Sequence, residues 1–248
     1  MPQWQVELFV YGPITVKGRV LLYEPKGQNP DDLFYSDIAI SATQSGVGID
    51  LTARADTDRL ARRATLYYVG QALDVLTLDV RLPLYLSLLD RQPIRPETHH
   101  VRRIIENDEW HSAFERVRDL NQRLPAVLQA LSWYRKGLYT EDPFDKFLAF
   151  WNSIEIVASK HYPKGNCRGK GSKCQIWECF KQLWGECDQW PVVTGDADWI
   201  DKNYAIRKDI AHGAMPVNVR RVETVLEKLE TIEVVAHRFL TDWRALHP

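Results

Sequence analysis

A chain of 248 residues, 45% apolar and 26% charged, is long enough for one large domain or two small ones, each burying its own core. Its net charge of −1 excludes a global basic field, so any nucleic-acid site must be local. No run approaches the ~18 apolar residues of a membrane span, and the opening MPQWQVELFV lacks a basic stretch followed by an apolar core and a small-residue cleavage site. The expected location is therefore the cytoplasm, with no membrane partner.

The first part is strand-like. Val6, Leu8 and Val10 alternate with differently facing neighbours, and Tyr11-Gly12-Pro13 signals a turn. Ile14-Thr15-Val16 and Val20-Leu21-Leu22 then read as a returning strand. Residues 25–32 are a loop. Residues 36–51 alternate again, with Gly46 and Gly48 at bulge or turn positions. From Asp56 the period becomes helical. Leu60, Ala64, Tyr67, Tyr68, Ala72 and Leu76 recur at helix spacing, and Asp56 or Asp58 is the expected cap. Residues 81–89 read as a strand with a proline near its start, and residues 92–98 as a loop. Residues 1–106 are thus expected to form a small antiparallel β-rich domain with one helix.

Residues 107–248 are helical in period. Asn107-Asp108 caps a first helix. Leu124, Val127, Leu128, Leu131 and Tyr134 form a stripe that Gly137 is expected to stop. Asp142 with Pro143 starts the next helix, whose buried face is Phe147, Leu148, Trp151, Ile154 and Ala158. A helix through Trp177, Phe180 and Trp184 follows. Another is capped by Asp196 or Asp198 and ends at Gly213, and a long last helix runs through Val222, Val225, Ile232, Phe239 and Trp243. About five helices with short connections predict an up-and-down bundle, so the fold class is α+β and mainly α. Eight of the nine tryptophans lie after Asp108, which makes this half the expected site of the better-packed core.

The helix before Gly213 carries Arg207 and His212, five residues apart and therefore about 140° around an ideal helix axis. They converge only if the helix stops at this point or if a second subunit supplies the partner. Asp209 and His212 share a face, so Asp209 is placed to orient the imidazole. Read as bare spacing, the pair is equally a solvated arginine and a C-terminal histidine favoured by the helix dipole.

The stretch 142–155, reading Asp142-Pro143-Phe144-Asp145-Lys146-Phe147-Leu148-Ala149-Phe150-Trp151-Asn152-Ser153-Ile154-Glu155, is followed about fifty residues later by Arg207-Lys208-Asp209-Ile210-Ala211-His212-Gly213. Together these resemble the ApeA-like branch of the HEPN superfamily, including its MauJ group, over about residues 133–248. The resemblance implies an all-helical domain that dimerises, with two motifs facing one cleft. It also implies a metal-independent endoribonuclease of toxin or defence type, in which a ribose 2′-hydroxyl attacks the adjacent phosphate. In that chemistry His212 would be the acid and base, Arg207 would bind the scissile phosphate, and Glu155 would hold Arg207 from the facing helix. Lys208 stands where active members commonly carry asparagine. It either adds a phosphate contact or marks a non-catalytic, MauJ-like accessory protein that binds a protein or nucleotide.

The loop 161–173 carries Lys164, Arg168, Lys170 and Lys173 with no acid, which fits an RNA-contacting flap or a merely solvated loop. Cys167, Cys174, Cys179 and Cys187 are spaced C-x6-C-x4-C-x7-C. All four cysteines in one stretch suggest a structural zinc, although zinc sites favour tighter pairs. Free, partly buried thiols are the other reading. The implied nuclease chemistry requires no cofactor. No glycine-rich nucleotide loop, nucleophile elbow or paired-carboxylate site is present in the sequence.

Overall fold

The computed structural model describes residues 2–23, 37–88, 101–163, 171–212 and 219–246. The chain divides into two compact units, Met1–Asn121 and Gln122–Pro248. It is α+β and mainly helical. No helix among the described residues is long and apolar enough to cross a membrane.

The first unit is built on an antiparallel sheet of β1 (Gln3–Tyr11), β3 (Val20–Tyr23), β4 (Asp37–Thr43), β5 (Gly46–Arg54) and β6 (Tyr85–Ser87), in the order β3-β4-β5-β1-β6. Its register aligns Val6 with Leu51, Leu8 with Ile49 and Val10 with Val47, and Ile40 in turn with Ile49. Because strand side chains alternate between faces, this register gathers the buried residues of three strands onto one face. Gly46 begins β5 at φ +151°, where a Cβ would stand 2.0 Å from the Val10 carbonyl oxygen, so only glycine fits the β4–β5 turn.

The expected returning strand does not pair with β1. Both edges of β1 are occupied, by β5 and β6. β2 (Ile14–Thr15) instead runs parallel to β7 (Arg103–Ile104), and β3 pairs with β4.

Helix α1 (Asp58–Val80) packs on β1, β5 and β6. Its cap is Thr57, whose hydroxyl oxygen accepts from the Leu60 N–H at 3.2 Å, rather than Asp56 or Asp58. It also runs one turn past Leu76, to Arg81 in the left-handed region. Helix α2 (Asn107–Arg123) belongs almost wholly to this unit, so the division falls later than the Asn107 boundary expected from sequence. Its stripe of Trp110, Phe114 and Val117 is buried, with Phe114 against Tyr68 at 5.3 Å between ring centroids. Arg116 reaches Asp79 at 3.2 Å.

The second unit contains α3 (Pro125–Tyr139), α4 (Pro143–His161), α5 (Ser172–Trp184), a short 3-10 turn (Cys187–Gln189), α6 (Trp199–Ala211) and α7 (Val219–Leu246). Helix α4 lies at the centre, with α3, α5, α6 and α7 all packed on it. That position explains its sequence, which is apolar on nearly every side: Phe147, Phe150, Trp151, Ile154, Val157 and Ala158 are fully buried. Asp142 caps it as expected, accepting from the N–H groups of Phe144 and Asp145 at 3.0 and 2.9 Å, with Pro143 at the first helical position.

Gly137 does not stop α3. It is buried inside the helix, and a Cβ there would stand 2.6 Å from Cε1 of Phe150. The missing side chain lets α3 approach α4. An aromatic cluster closes the core around Phe180, whose ring meets Trp184, Trp190, Trp199 and Phe239.

A candidate site on the facing helices α4 and α6

Helix α6 lies on α4 through residues spaced by four on each helix. Trp151 and Glu155 share one stripe of α4, while Trp199, Asn203 and Arg207 share one stripe of α6. The ring of Trp151 is fully buried, with centroids 6.3 Å from those of both Trp199 and Tyr204. Asn203 is buried and satisfies its amide within α6, donating to the Trp199 carbonyl at 2.7 Å. These contacts fix the height and rotation of α6 against α4.

On that platform Arg207 Nη2 lies 3.3 Å from Glu155 Oε2, with the two side chains only 28% and 19% exposed. The same carboxylate oxygen accepts a hydrogen bond from Trp151 Nε1 at 3.1 Å. Trp151 therefore positions Glu155, and Glu155 positions Arg207. Sequence reasoning placed Trp151 only in the core. Its spacing of four from Glu155 was the available sign that the two share a face. The solvated-arginine reading does not describe Arg207, which is half-buried and ion-paired. Its Nε is buried and has no hydrogen-bond partner among the described residues, a cost that the ion pair must offset.

Helix α6 ends at Ala211. His212 is its C-cap at φ −95° and ψ 2°, and its backbone N–H donates to the Lys208 carbonyl at 3.0 Å. The imidazole is exposed, as is Lys208. Among the described residues Asp209 makes no ion pair or hydrogen bond with His212. The expected shared face assumes a continuing helix, and the chain leaves helical geometry at the histidine itself.

The flap residues Lys164, Arg168 and Lys170 lie outside the described residues. Lys173 is described, in the first turn of α5, with Nζ 2.5 Å from Asp201 Oδ1 and 5.7 Å from the centroid of Tyr204. The hydrogen bond and charge of Asp201 raise its pKa above the ordinary lysine value. Lys173 thus ties the start of α5 to α6 through an exposed ion pair.

Of the four cysteines, Cys167 lies outside the described residues. Cys174 is disulfide-bonded. Cys179 is fully buried, with Sγ 4.0 Å from the Ala158 carbonyl oxygen, and burial pushes its thiol up to about 12. Cys187 is half-buried, and its thiol is also raised, chiefly by burial. Zinc binds thiolates. The described cysteines are one disulfide sulfur, at Cys174, and two thiols, at Cys179 and Cys187. No group of three His, Cys, Asp or Glu side chains suited to a metal occurs among the described residues.

No family model, curated protein or solved structure matches this chain.

Proposed function

We propose that the C-terminal unit is a HEPN-like bundle that cleaves RNA without a metal, acting as a homodimer of toxin or defence type. The observation that carries this reading is the Arg207–Glu155 ion pair at 3.3 Å, on the two helices that the resemblance requires. Glu155 spends one oxygen on Trp151 and Arg207, which holds the guanidinium in one orientation at the partly exposed end of α6. An arginine so held is suited to the charge that develops on a phosphorane.

His212, exposed where α6 ends, takes the proton of the ribose 2′-hydroxyl or returns one to the departing 5′-oxygen. The attack forms a bond from the 2′-oxygen to phosphorus and breaks the bond to the 5′-oxygen. The products are a 2′,3′-cyclic phosphate and a 5′-hydroxyl. In the dimer that the resemblance implies, a second copy of the motif supplies the facing groups.

The test is incubation of the purified protein with mixed RNA in EDTA. Expected are cyclic phosphate ends that disappear in His212→Ala. Absence of cleavage at protein concentrations that drive dimerisation would overturn the reading.

A second reading has its own observation. Lys208 is exposed directly after Arg207, and the imidazole of His212 has no orienting partner among the described residues. These features suit a non-catalytic accessory protein of the MauJ kind, whose bundle binds a protein or nucleotide. That reading fails if His212→Ala removes a biological activity while fold and dimer persist.

A further inference from the structure

The first half of α1 presents a face that is exposed and packs on none of the described residues. Arg59, Leu60, Arg62, Arg63 and Tyr67 are exposed, Leu60 to 39% and Tyr67 to 58%. At about 100° per residue these five side chains share an arc of about 160°, opposite the buried Ala61, Ala64 and Tyr68. Apart from Leu60 and the half-buried Leu66 the arc is cationic and aromatic, and it holds no acid. Asp58 sits at its edge, 3.8 Å from Arg62. Arg59 and Arg63 make no ion pair, and Tyr67 no ring contact, among the described residues.

In a chain of net charge −1 this is a local concentration of positive charge. Arg59, Arg63 and Tyr67 follow one another at intervals of four, one turn apart along the same stripe. Cations alone would serve any anionic surface. Cations in line with an exposed ring serve a strand that offers both phosphates and unstacked bases.

We propose that this face of α1 binds single-stranded nucleic acid, with Arg59 and Arg63 on its phosphates and Tyr67 stacked on a base. The site involves neither Arg207 nor His212, so it stands or falls apart from the nuclease reading.

The experiment is fluorescence anisotropy of a short, unstructured, end-labelled RNA titrated with the full chain carrying His212→Ala, so that no bound strand is cut. Arg59→Gln and Arg63→Gln should each weaken binding and reduce the slope of log affinity against log salt by about 0.7. Tyr67→Ala should weaken binding about fivefold or more with that slope unchanged, while Tyr67→Phe keeps the affinity. Circular dichroism of each variant confirms that the helix persists. The proposal is overturned if the parent chain does not bind, or if all four variants bind as the parent does. It is equally overturned if polyglutamate displaces the RNA and Tyr67→Ala has no effect, since the face would then be a dock for acidic protein.

Discussion

Arg207 and Glu155 illustrate how a half-buried ion pair contributes at the scale of single residues. Removing one partner from a fully buried pair costs about 3–5 kcal/mol, and an exposed pair contributes about 0.2–1 kcal/mol. With side chains 28% and 19% exposed, this pair lies between those limits. Arg207→Ala and Glu155→Ala should each lower unfolding stability by about 1–3 kcal/mol. Urea midpoints of the two single variants and the double variant will reveal the coupling, and additive losses would show that the pair does not interact. The pairing entered through the resemblance and not through spacing, because Glu155 and Arg207 lie far apart in sequence. Cys179 gives a second residue-scale expectation. Its folded pKa of about 12 lies above the ordinary 9.0, so an unfolded chain releases this proton first as pH rises. The stability contributed by the neutral buried thiol is full below pH 9.0 and is lost as pH climbs toward 12. At neutral pH the native protein should resist alkylation at Cys179, which peptide mapping by mass spectrometry checks directly. Labelling at the same rate in native and denatured protein would contradict the burial.

Among the elements, α3 and α4 show both what local sequence rules deliver and where they stop. The start of α4 was legible, because Asp142-Pro143 is a local signal and the structure uses it locally. Asp142→Ala should cost about 1 kcal/mol. The role of Gly137 was not legible. Glycine favours helix ends through its own backbone freedom, but here its value lies in a neighbour, Phe150, that the one-dimensional pattern does not reveal. Alanine is the better helix former by about 1 kcal/mol. Gly137→Ala should nevertheless lower thermal stability, because the new methyl meets a fully buried ring already packed on Tyr134, and overpacking costs about 1–3 kcal/mol. A raised melting temperature would mean that Phe150 yields. The strands fail in the same way. Alternation of Val6, Leu8 and Val10 establishes which face of β1 is buried but not which strand lies beside it, and the turn at Gly12 leads not to a partner of β1 but to β2, which pairs with β7.

For the molecule as a whole, the informative feature is where the two units divide, after α2 rather than before it. The stripe of Trp110, Phe114 and Val117 says that α2 buries a face, and nothing in its period says against which partner. Since Phe114 meets Tyr68 and Arg116 meets Asp79, a chain ending at residue 106 should be less stable than one ending at residue 123. Chemical denaturation of the two fragments tests this, and equal midpoints would place α2 outside the first unit's core. The half carrying the candidate site is legible as helical from its period, whereas the burial of Cys179 and the disulfide at Cys174 depend on tertiary neighbours that cysteine count and spacing do not reveal. The position of β1 between β5 and β6 also sets an order in time. The ribosome makes β1 before either neighbour, and the partner of Gln3 is Arg54. At about 5–20 residues per second, β1 spends seconds as an apolar strand with both edges open. The nascent chain thus passes through an interval of seconds in which its first strand has no pairing partner, and synthesis of β5 ends that interval.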